Sequence, residues 1–135
     1  MTRSKYRNPF LALLAAAMLI AGLACSKNSL APFQPEIANI ADNFQFQATG
    51  VKYVSTTLTY SWSNSGDSAK VNHASVITGG SATVTLLDAN GVEKYTSPLK
   101  ASGDEFSQLG VSGNWTIRVV LSRVSGTLNF RVQKQ

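Results

Sequence analysis

Hydrophobic and polar residues follow two different patterns along the chain, and the change falls near residue 42. Residues 9–24 form an apolar run without a charged side chain. From Asp42 onward, apolar residues alternate with polar ones, which is the pattern of strands that bury one face. No segment after residue 42 keeps an apolar period of 3.6 residues. The sequence therefore predicts an all-β region behind an apolar N-terminal segment.

The alternation predicts seven or eight short strands. It is clearest in 115–122, whereas 51–64 is longer and fills one face with Thr and Ser. Asn90-Gly91 lies between two strands, and this pair favours a tight hairpin because both residues tolerate positive φ. We expect 115–122 and 127–133 to form another antiparallel hairpin. The predicted strands are 44–47, 51–64, 70–77, 81–88, 92–97, 105–109, 115–122 and 127–133.

Short strands separated by turns are typical of a β-sandwich. The predicted fold class is an all-β, antiparallel, jelly-roll-like sandwich of 7–8 strands over residues 43–135, and a small barrel is the alternative. Residues 25–42 contain Pro32 and Pro35 and are predicted as a flexible linker. Residues 36–41 fit equally well as an extended or short helical segment that packs on the domain edge through Phe33, Ile37 and Ile40.

The N-terminus has the order of a secretory signal peptide. Arg3, Lys5 and Arg7 precede the apolar run, which ends at Cys25 and is followed by polar residues. The run of 16 residues, 9–24, is shorter than a membrane-spanning helix requires, which is about 20 residues. We therefore assign 1–24 to a signal helix that is removed from the mature chain.

Gly22-Leu23-Ala24-Cys25 resembles the lipobox of bacterial lipoproteins. The resemblance implies cleavage between Ala24 and Cys25, and acylation of the Cys25 thiol, so that membrane lipid holds the chain. The family prefers an aliphatic residue three places before the cysteine, where this chain has Gly22. Ser26, in place of Asp, implies export to the outer membrane if the cell has one. The alternatives are an ordinary signal peptide and an uncleaved membrane helix.

The mature region is similar to a second bacterial group. Tyr60–Asn64, Ala82–Gly91 and Gly113–Val119 resemble secreted β-sandwich modules of the pre-peptidase C-terminal type. The resemblance covers roughly residues 56–133 and implies a jelly-roll-like sandwich with an accessory role. Its motifs are structural, so it transfers no catalytic residue to this chain.

Charge and composition exclude several classes of function. The chain has a net charge of +5, but the signal region carries three of its basic residues, which leaves +2 on residues 25–135. The remaining basic residues are dispersed, whereas nucleic-acid binding needs a basic cluster. One Cys and one His exclude an internal disulfide and a multi-histidine metal site within one chain. We expect no nucleic-acid partner and no cofactor.

Candidate catalytic and metal-binding residues are few. We expect His73 to lie on a solvent-facing strand or loop; a hydrolase would need it in a pocket beside an acid and a Ser or Thr. Asp104 and Glu105 are neighbours, and on a strand they point to opposite faces. Asp88–Gly91 is interpreted as a turn, because a calcium loop needs further oxygen ligands. Ser65–Asp67 is likewise interpreted as a turn, with a calcium site as its alternative.

The aromatic residues divide into core and candidate ligand-binding groups. Trp62 and Trp115 lie on the apolar faces of their strands and are predicted to be buried. Tyr53 falls on the opposite face from Tyr60. Tyr53 and Tyr95 are therefore the candidates for stacking on a sugar or another small ligand.

These observations predict a non-enzymatic, lipid-anchored lipoprotein of the cell envelope, on the periplasmic or surface face of the membrane. Its single β-domain would have a structural or protein-interaction role, and its partners would be membrane lipid and an envelope protein or glycan. A carbohydrate- or small-ligand-binding module is the alternative, and a hydrolase built around His73 is a third hypothesis.

Overall fold

The computed structural model describes residues 33–135. The predicted signal peptide, the cleavage site at Ala24 and Cys25, and the linker as far as Pro32 lie outside the described residues. The described strands are β1 (Glu36–Ile40), β2 (Asn43–Asn64), β3 (Ala69–His73), β4 (Val76–Leu87), β5 (Glu93–Pro98), β6 (Gly103–Phe106) and β7 (Gly113–Lys134).

The seven strands form one hydrogen-bonded sheet, and every pairing in it is antiparallel. One path through the sheet runs β1-β2-β7-β3-β6, while β4 pairs with β7 and β5 pairs with β4. The prediction of an all-β antiparallel domain is confirmed. None of the residues 33–135 belongs to a helix long and apolar enough to cross a membrane.

Two strands of 22 residues, β2 and β7, form the centre of the sheet. They pair from Asn43 opposite Gln133 to Asn64 opposite Gly113, but the register shifts between Ala48 and Thr56. β4 also shifts register against β7 at this level. We call this region the bend, and it consists of residues 49–55 of β2, 77–81 of β4 and 122–126 of β7.

The backbone at the bend explains why β7 was predicted as two strands. Arg123 and Gly126 have positive φ, of 45° and 131°, and residues of this type mark turns as well as β-bulges. The predicted hairpin between 115–122 and 127–133 is wrong, because the chain bends there without reversing. β2 runs alongside through a bend of its own at Gly50 and Tyr53, so predicted strands 44–47 and 51–64 are also continuous.

Close approach of the strands at the bend requires glycine at two positions. A Cβ atom on Gly126 would overlap the carbonyl oxygen of Val76, and one on Gly80 would overlap that of Arg123. Both glycines also have positive φ, a conformation that side chains disfavour. These positions let β4 follow β7 through the bend.

Because the strands bend, the two arms of β2 face each other across the core. The ring centroids of Phe44, in the first arm, and Tyr60, in the second, are 5.3 Å apart. Phe46 stacks on Phe130 of β7 at 5.2 Å. Trp62 and Trp115 meet edge to face at 6.2 Å, a geometry that aromatic pairs prefer. Both tryptophans are fully buried, as predicted.

Strand β1 resolves the two interpretations of residues 36–41 in favour of an extended segment. It pairs with β2 along its whole length, from Glu36 opposite Gln47 to Ile40 opposite Asn43. All five of its residues are exposed, so backbone pairing holds this edge strand in place. The compact unit begins at Phe33 and thus includes part of the segment 25–42 that was predicted as linker.

Candidate functional site

His73 lies at the end of β3 and is buried, with 2% of its surface exposed. The prediction of a solvent-facing histidine is therefore wrong. The signal that would have found it is the alternation of Ala69, Val71 and His73, which places the imidazole on the apolar face of the strand.

The imidazole belongs to a chain of hydrogen bonds among three strands and a loop. The Lys100 backbone N–H donates to His73 Nδ1 at 3.3 Å. His73 Nε2 lies 2.7 Å from the Tyr95 hydroxyl, which donates to Glu105 Oε2 at 2.6 Å. Since Nδ1 accepts, the network assigns the proton of the neutral ring to Nε2. The Lys100 ammonium pairs with Glu105 Oε1, and we call these four residues the His73 cluster.

The protonation states of the cluster follow from burial and from these bonds. Burial lowers the pKa of His73, although the Glu105 carboxylate opposes this shift. Burial raises the pKa of the Tyr95 hydroxyl, and its hydrogen bond to Glu105 adds to the shift. The hydrogen bond from Lys100 lowers the pKa of Glu105 to about 2. At neutral pH the cluster therefore holds a neutral imidazole, a protonated phenol and an ion pair.

The hydroxyl closest to His73 in sequence is also engaged. Ser75 Oγ donates to the Asn129 carbonyl and accepts from the Asn129 N–H, both at 2.9 Å. These bonds tie the β3–β4 connection to β7. Ser75 is thus held in a role within the sheet, where a nucleophile would need a hydrogen bond to the imidazole.

The two tyrosines proposed for ligand stacking have opposite environments. Tyr53 is 82% exposed, whereas Tyr95 is 9% exposed and its hydroxyl is part of the His73 cluster. Tyr95 does not present its ring to solvent, so the two residues do not form a shared exposed platform. The physical reason is that Tyr95 lies on the inward face of β5.

The Asp88 carboxylate closes the hairpin between β4 and β5. Its Oδ1 accepts from the backbone N–H groups of Asn90 and Val92, both at 3.0 Å, and its Oδ2 accepts from that of Val111 at 3.1 Å. Burial raises the pKa of Asp88, but these backbone bonds outweigh burial and lower it overall. The interpretation of Asp88–Gly91 as a turn is confirmed, since the carboxylate binds backbone donors.

No group of three or more His, Cys, Asp or Glu residues within 33–135 is arranged to hold a metal ion. A hollow of about 260 Å³ lies beside the edge strand and is lined by Glu36, Ile37, Ala38, Gln45 and Gln47. Its walls combine two amide side chains with one carboxylate and an exposed aliphatic side chain.

Sequence reasoning did not identify the group formed by Lys52, Tyr53 and Arg123, which we call the bend surface. All three side chains are exposed, and Tyr53 and Arg123 both have positive φ, of 50° and 45°. The Tyr53 N–H donates to Ser125 Oγ at 3.1 Å, and the Arg123 N–H donates to Ser55 Oγ at 2.8 Å. The pairing of β2 with β7 sets Val51 opposite Gly126 and Val54 opposite Val124, so Lys52 and Tyr53 lie at the level of Arg123 although they are distant from it in sequence.

No family model matches the chain, and no curated protein matches it. Among solved structures, the chain is similar to one described as the structure of infectious bursal disease virus Gx strain, with 16% identity and a TM-score of 0.32. The match covers 74% of this chain but only 32% of the viral chain.

Proposed function

We propose that this protein is a lipid-anchored lipoprotein of the cell envelope, with a single β-domain that has a structural or protein-interaction role. One observation carries the proposal: Cys25 ends the apolar run and follows Gly22-Leu23-Ala24, in the manner of a lipobox. Two or more acyl chains anchor a protein stably, whereas a single chain binds reversibly. The acyl chains on Cys25 would therefore hold the domain at the membrane.

A non-catalytic role is supported by how the domain uses its titratable groups. His73, Tyr95 and Glu105 satisfy one another by hydrogen bonds, and Ser75 is bonded to β7. A general base needs a free site for the proton that it removes. In the His73 cluster, Nδ1 already accepts a hydrogen bond and Nε2 already faces the Tyr95 hydroxyl.

We further propose that the domain is a β-sandwich whose two layers share the strands β2 and β7. The contact of Phe44 with Tyr60 at 5.3 Å supports this interpretation, because the two residues come from different arms of one strand. The likeness to jelly-roll-like modules of the pre-peptidase C-terminal type belongs to the same proposal. The residue after the cysteine, Ser26, favours the outer membrane in a cell that has one.

Metabolic labelling tests the anchor. Cells that make the full chain are grown with labelled palmitate, beside cells that make Cys25→Ala or the control variant Ser29→Ala. We expect label in the wild type and in Ser29→Ala, and none in Cys25→Ala, which should also leave the membrane fraction. An unlabelled wild type, together with a Cys25→Ala variant that stays in the membrane fraction, would contradict the proposal.

Binding of a carbohydrate or another small ligand is the second candidate function. It is favoured by the hollow beside β1, where Gln45 and Gln47 present amide groups next to Ile37. Amides hydrogen-bond to hydroxyl groups, and ligand sites combine such groups with apolar walls. A glycan array should give signals that fall when Gln45 and Gln47 are both replaced by Ala. An array without signal would remove this candidate.

A further inference from the structure

The chain enters the domain at the bend. β1 runs antiparallel to the first arm of β2, with its first residue, Glu36, opposite Gln47 and its last, Ile40, opposite Asn43. Gln34 and Glu36 line a second hollow together with Ala48 and Thr49, where the bend begins. The residues before β1 therefore lead away from the same end of the domain that carries Lys52, Tyr53 and Arg123.

The length of the chain between the anchor and the domain limits how far this end can lie from the membrane. Eight residue steps separate Cys25 from Phe33, and a fully extended chain covers no more than about 28 Å over that number of residues. This step rests on the proposed acylation of Cys25. If Cys25 is held in lipid, the chain entry beside the bend stays within about that distance of the bilayer.

The charge of the bend suits an anionic surface. Residues 49–55, 77–81 and 122–126 include Lys52 and Arg123 and contain no Asp or Glu. The ion pairs within residues 33–135 use Lys70, His73, Lys94, Lys100 and Lys134, and none of them uses Lys52 or Arg123. The acidic residue closest to this surface along the strands is Glu36, on the edge strand. Lys52 and Arg123 therefore keep their charge available to a partner.

The backbone directs these side chains outward. Bulky residues with positive φ are uncommon, and such conformations persist where the surrounding structure fixes them and often occur at functional sites. Here Ser55 and Ser125 fix the conformations of Arg123 and Tyr53 by accepting their N–H groups. Tyrosine and basic side chains together favour the interface between membrane and water, where the ring lies at the level of the head groups.

We propose that the bend surface, formed by Lys52, Tyr53 and Arg123, binds the anionic phospholipid head groups of the membrane that holds the acylated Cys25. The domain then has a defined orientation, with the bend toward the lipid and the Asp88 hairpin away from it. Each cation near an anionic surface contributes about a fivefold preference for that surface. Two cations and a tyrosine are sufficient to orient a domain that is already anchored.

The test measures the depth of single side chains in the full lipidated protein. Tyr53→Trp and Leu109→Trp are reconstituted separately in vesicles of phosphatidylcholine and phosphatidylglycerol that contain a spin-labelled lipid quencher. Leu109 is a matched position because it is also exposed, at 71%. It lies at the end of the domain that carries Asp88, which we call the hairpin end, since the nearby Val111 N–H donates to Asp88 Oδ2. Trp62 and Trp115 are fully buried. The fluorescence of the unsubstituted protein gives the background signal of these two tryptophans.

We expect quenching of the tryptophan at position 53 and none at position 109. Lys52→Glu with Arg123→Glu should abolish the quenching at position 53, whereas Arg118→Glu, a charge reversal outside the bend, should preserve it. Equal quenching at the two positions, or quenching that persists in phosphatidylcholine alone, would overturn this inference.

The failure of this inference is distinguishable from failure of the anchor. Flotation of the vesicles with the protein, compared between wild type and Cys25→Ala, reports anchoring independently of orientation. Protein that floats through Cys25 without quenching at position 53 overturns the orientation and leaves the anchor intact. Protein that floats equally well without Cys25 overturns the anchor, and the inference that rests on it.

Discussion

The two ends of the domain use their polar residues in opposite ways. At the hairpin end, the Asp88 carboxylate accepts three backbone N–H groups. Asp42, at the same end, accepts the backbone N–H and the hydroxyl of Ser65. At the bend, serine hydroxyls accept the backbone N–H groups, while Lys52 and Arg123 extend into solvent. Charged side chains thus hold the first end together, whereas short neutral ones hold the second.

This difference determines whether the charged residues at each end contribute to the stability of the fold or remain free to bind a partner. A charged group that satisfies backbone donors contributes to folding, and its removal leaves those donors unpaired. An exposed charged group contributes little to folding and stays free for a partner. Substitutions at the hairpin end should therefore change stability, whereas substitutions of the exposed charges at the bend should change binding.

The largest expected effect concerns the backbone of the bend. Gly126→Ala would force a Cβ atom into the carbonyl of Val76, at a φ of 131°. We expect it to lower the free energy of unfolding by at least about 3 kcal/mol, or to prevent folding. Gly50→Ala is the control, because a Cβ there has open space around it; its φ of 62° alone should cost only about 1 kcal/mol. Urea denaturation measures both, and equal costs would show that the close approach is unimportant.

Asp88→Ala should have the next largest effect, since three backbone N–H groups lose their acceptor. We expect its denaturation midpoint to lie between those of the two glycine variants. Asp88→Asn retains one acceptor oxygen and should fall closer to the wild type. A wild-type midpoint for Asp88→Ala would show that the carboxylate does not close the hairpin.

Stability should depend on pH through His73, to a smaller extent. Burial lowers the pKa of the folded imidazole below its ordinary value of 6.5. The unfolded chain then binds a proton that the folded chain does not, so stability is lost as the pH falls below about 6.5. Protonation of Nδ1 would also break the hydrogen bond from the Lys100 N–H.

Glu105 does not interfere in this range, because its pKa in the folded protein is about 2 and its ordinary value is 4.5. Denaturation midpoints measured from pH 7.5 to 5.5 should decline in the wild type. The pH dependence of the free energy of unfolding should correspond to the uptake of less than about one proton, because a single imidazole binds only one. His73→Gln cannot titrate and should give a flatter profile, from a lower starting stability. Parallel profiles would exclude His73 as the cause.

The smallest effect on folding is expected from the exposed charges of the bend. Lys52→Glu with Arg123→Glu should change the free energy of unfolding by no more than about 0.5 kcal/mol per site, as is usual for surface substitutions. This double variant should also lose its orientation on anionic vesicles. A large loss of stability would show that these side chains serve the fold.

Period-two alternation located β5 and both arms of β2 and β7, and Asn90-Gly91 marked the hairpin, because both signals are local. It did not include β1 among the strands, and the predicted strand 70–77 crosses the break between β3 and β4 at residues 74–75. The continuity of β7 was missed because Arg123 to Gly126 has the composition of a turn, and a turn and a bulge use the same residue types. Only the pairing with β2 on one side and β4 on the other decides between them. That pairing depends on contacts distant in sequence.

The polar sites also differ in whether their hydrogen-bond partners are close or distant in sequence. The turn at Asp88 was predictable because the partners Asn90 and Val92 are neighbours in sequence. The burial of His73 was visible in the alternation of β3, but its partners Tyr95 and Glu105 lie on strands that no local pattern pairs with it. Tyr95 was assigned to ligand stacking for the same reason.

The position of the chain entry also has a mechanical consequence. Under the proposed anchoring and orientation, a pull from the membrane on Phe33 would act along β1, because the strand runs from the bend toward the hairpin end. The hydrogen bonds of an antiparallel pair lie perpendicular to the strands. Force in this direction shears all the β1–β2 pairs together, whereas a force perpendicular to the strand would open them one at a time. Under the proposed anchoring, the edge strand would therefore join the domain to its tether in a geometry that resists extraction.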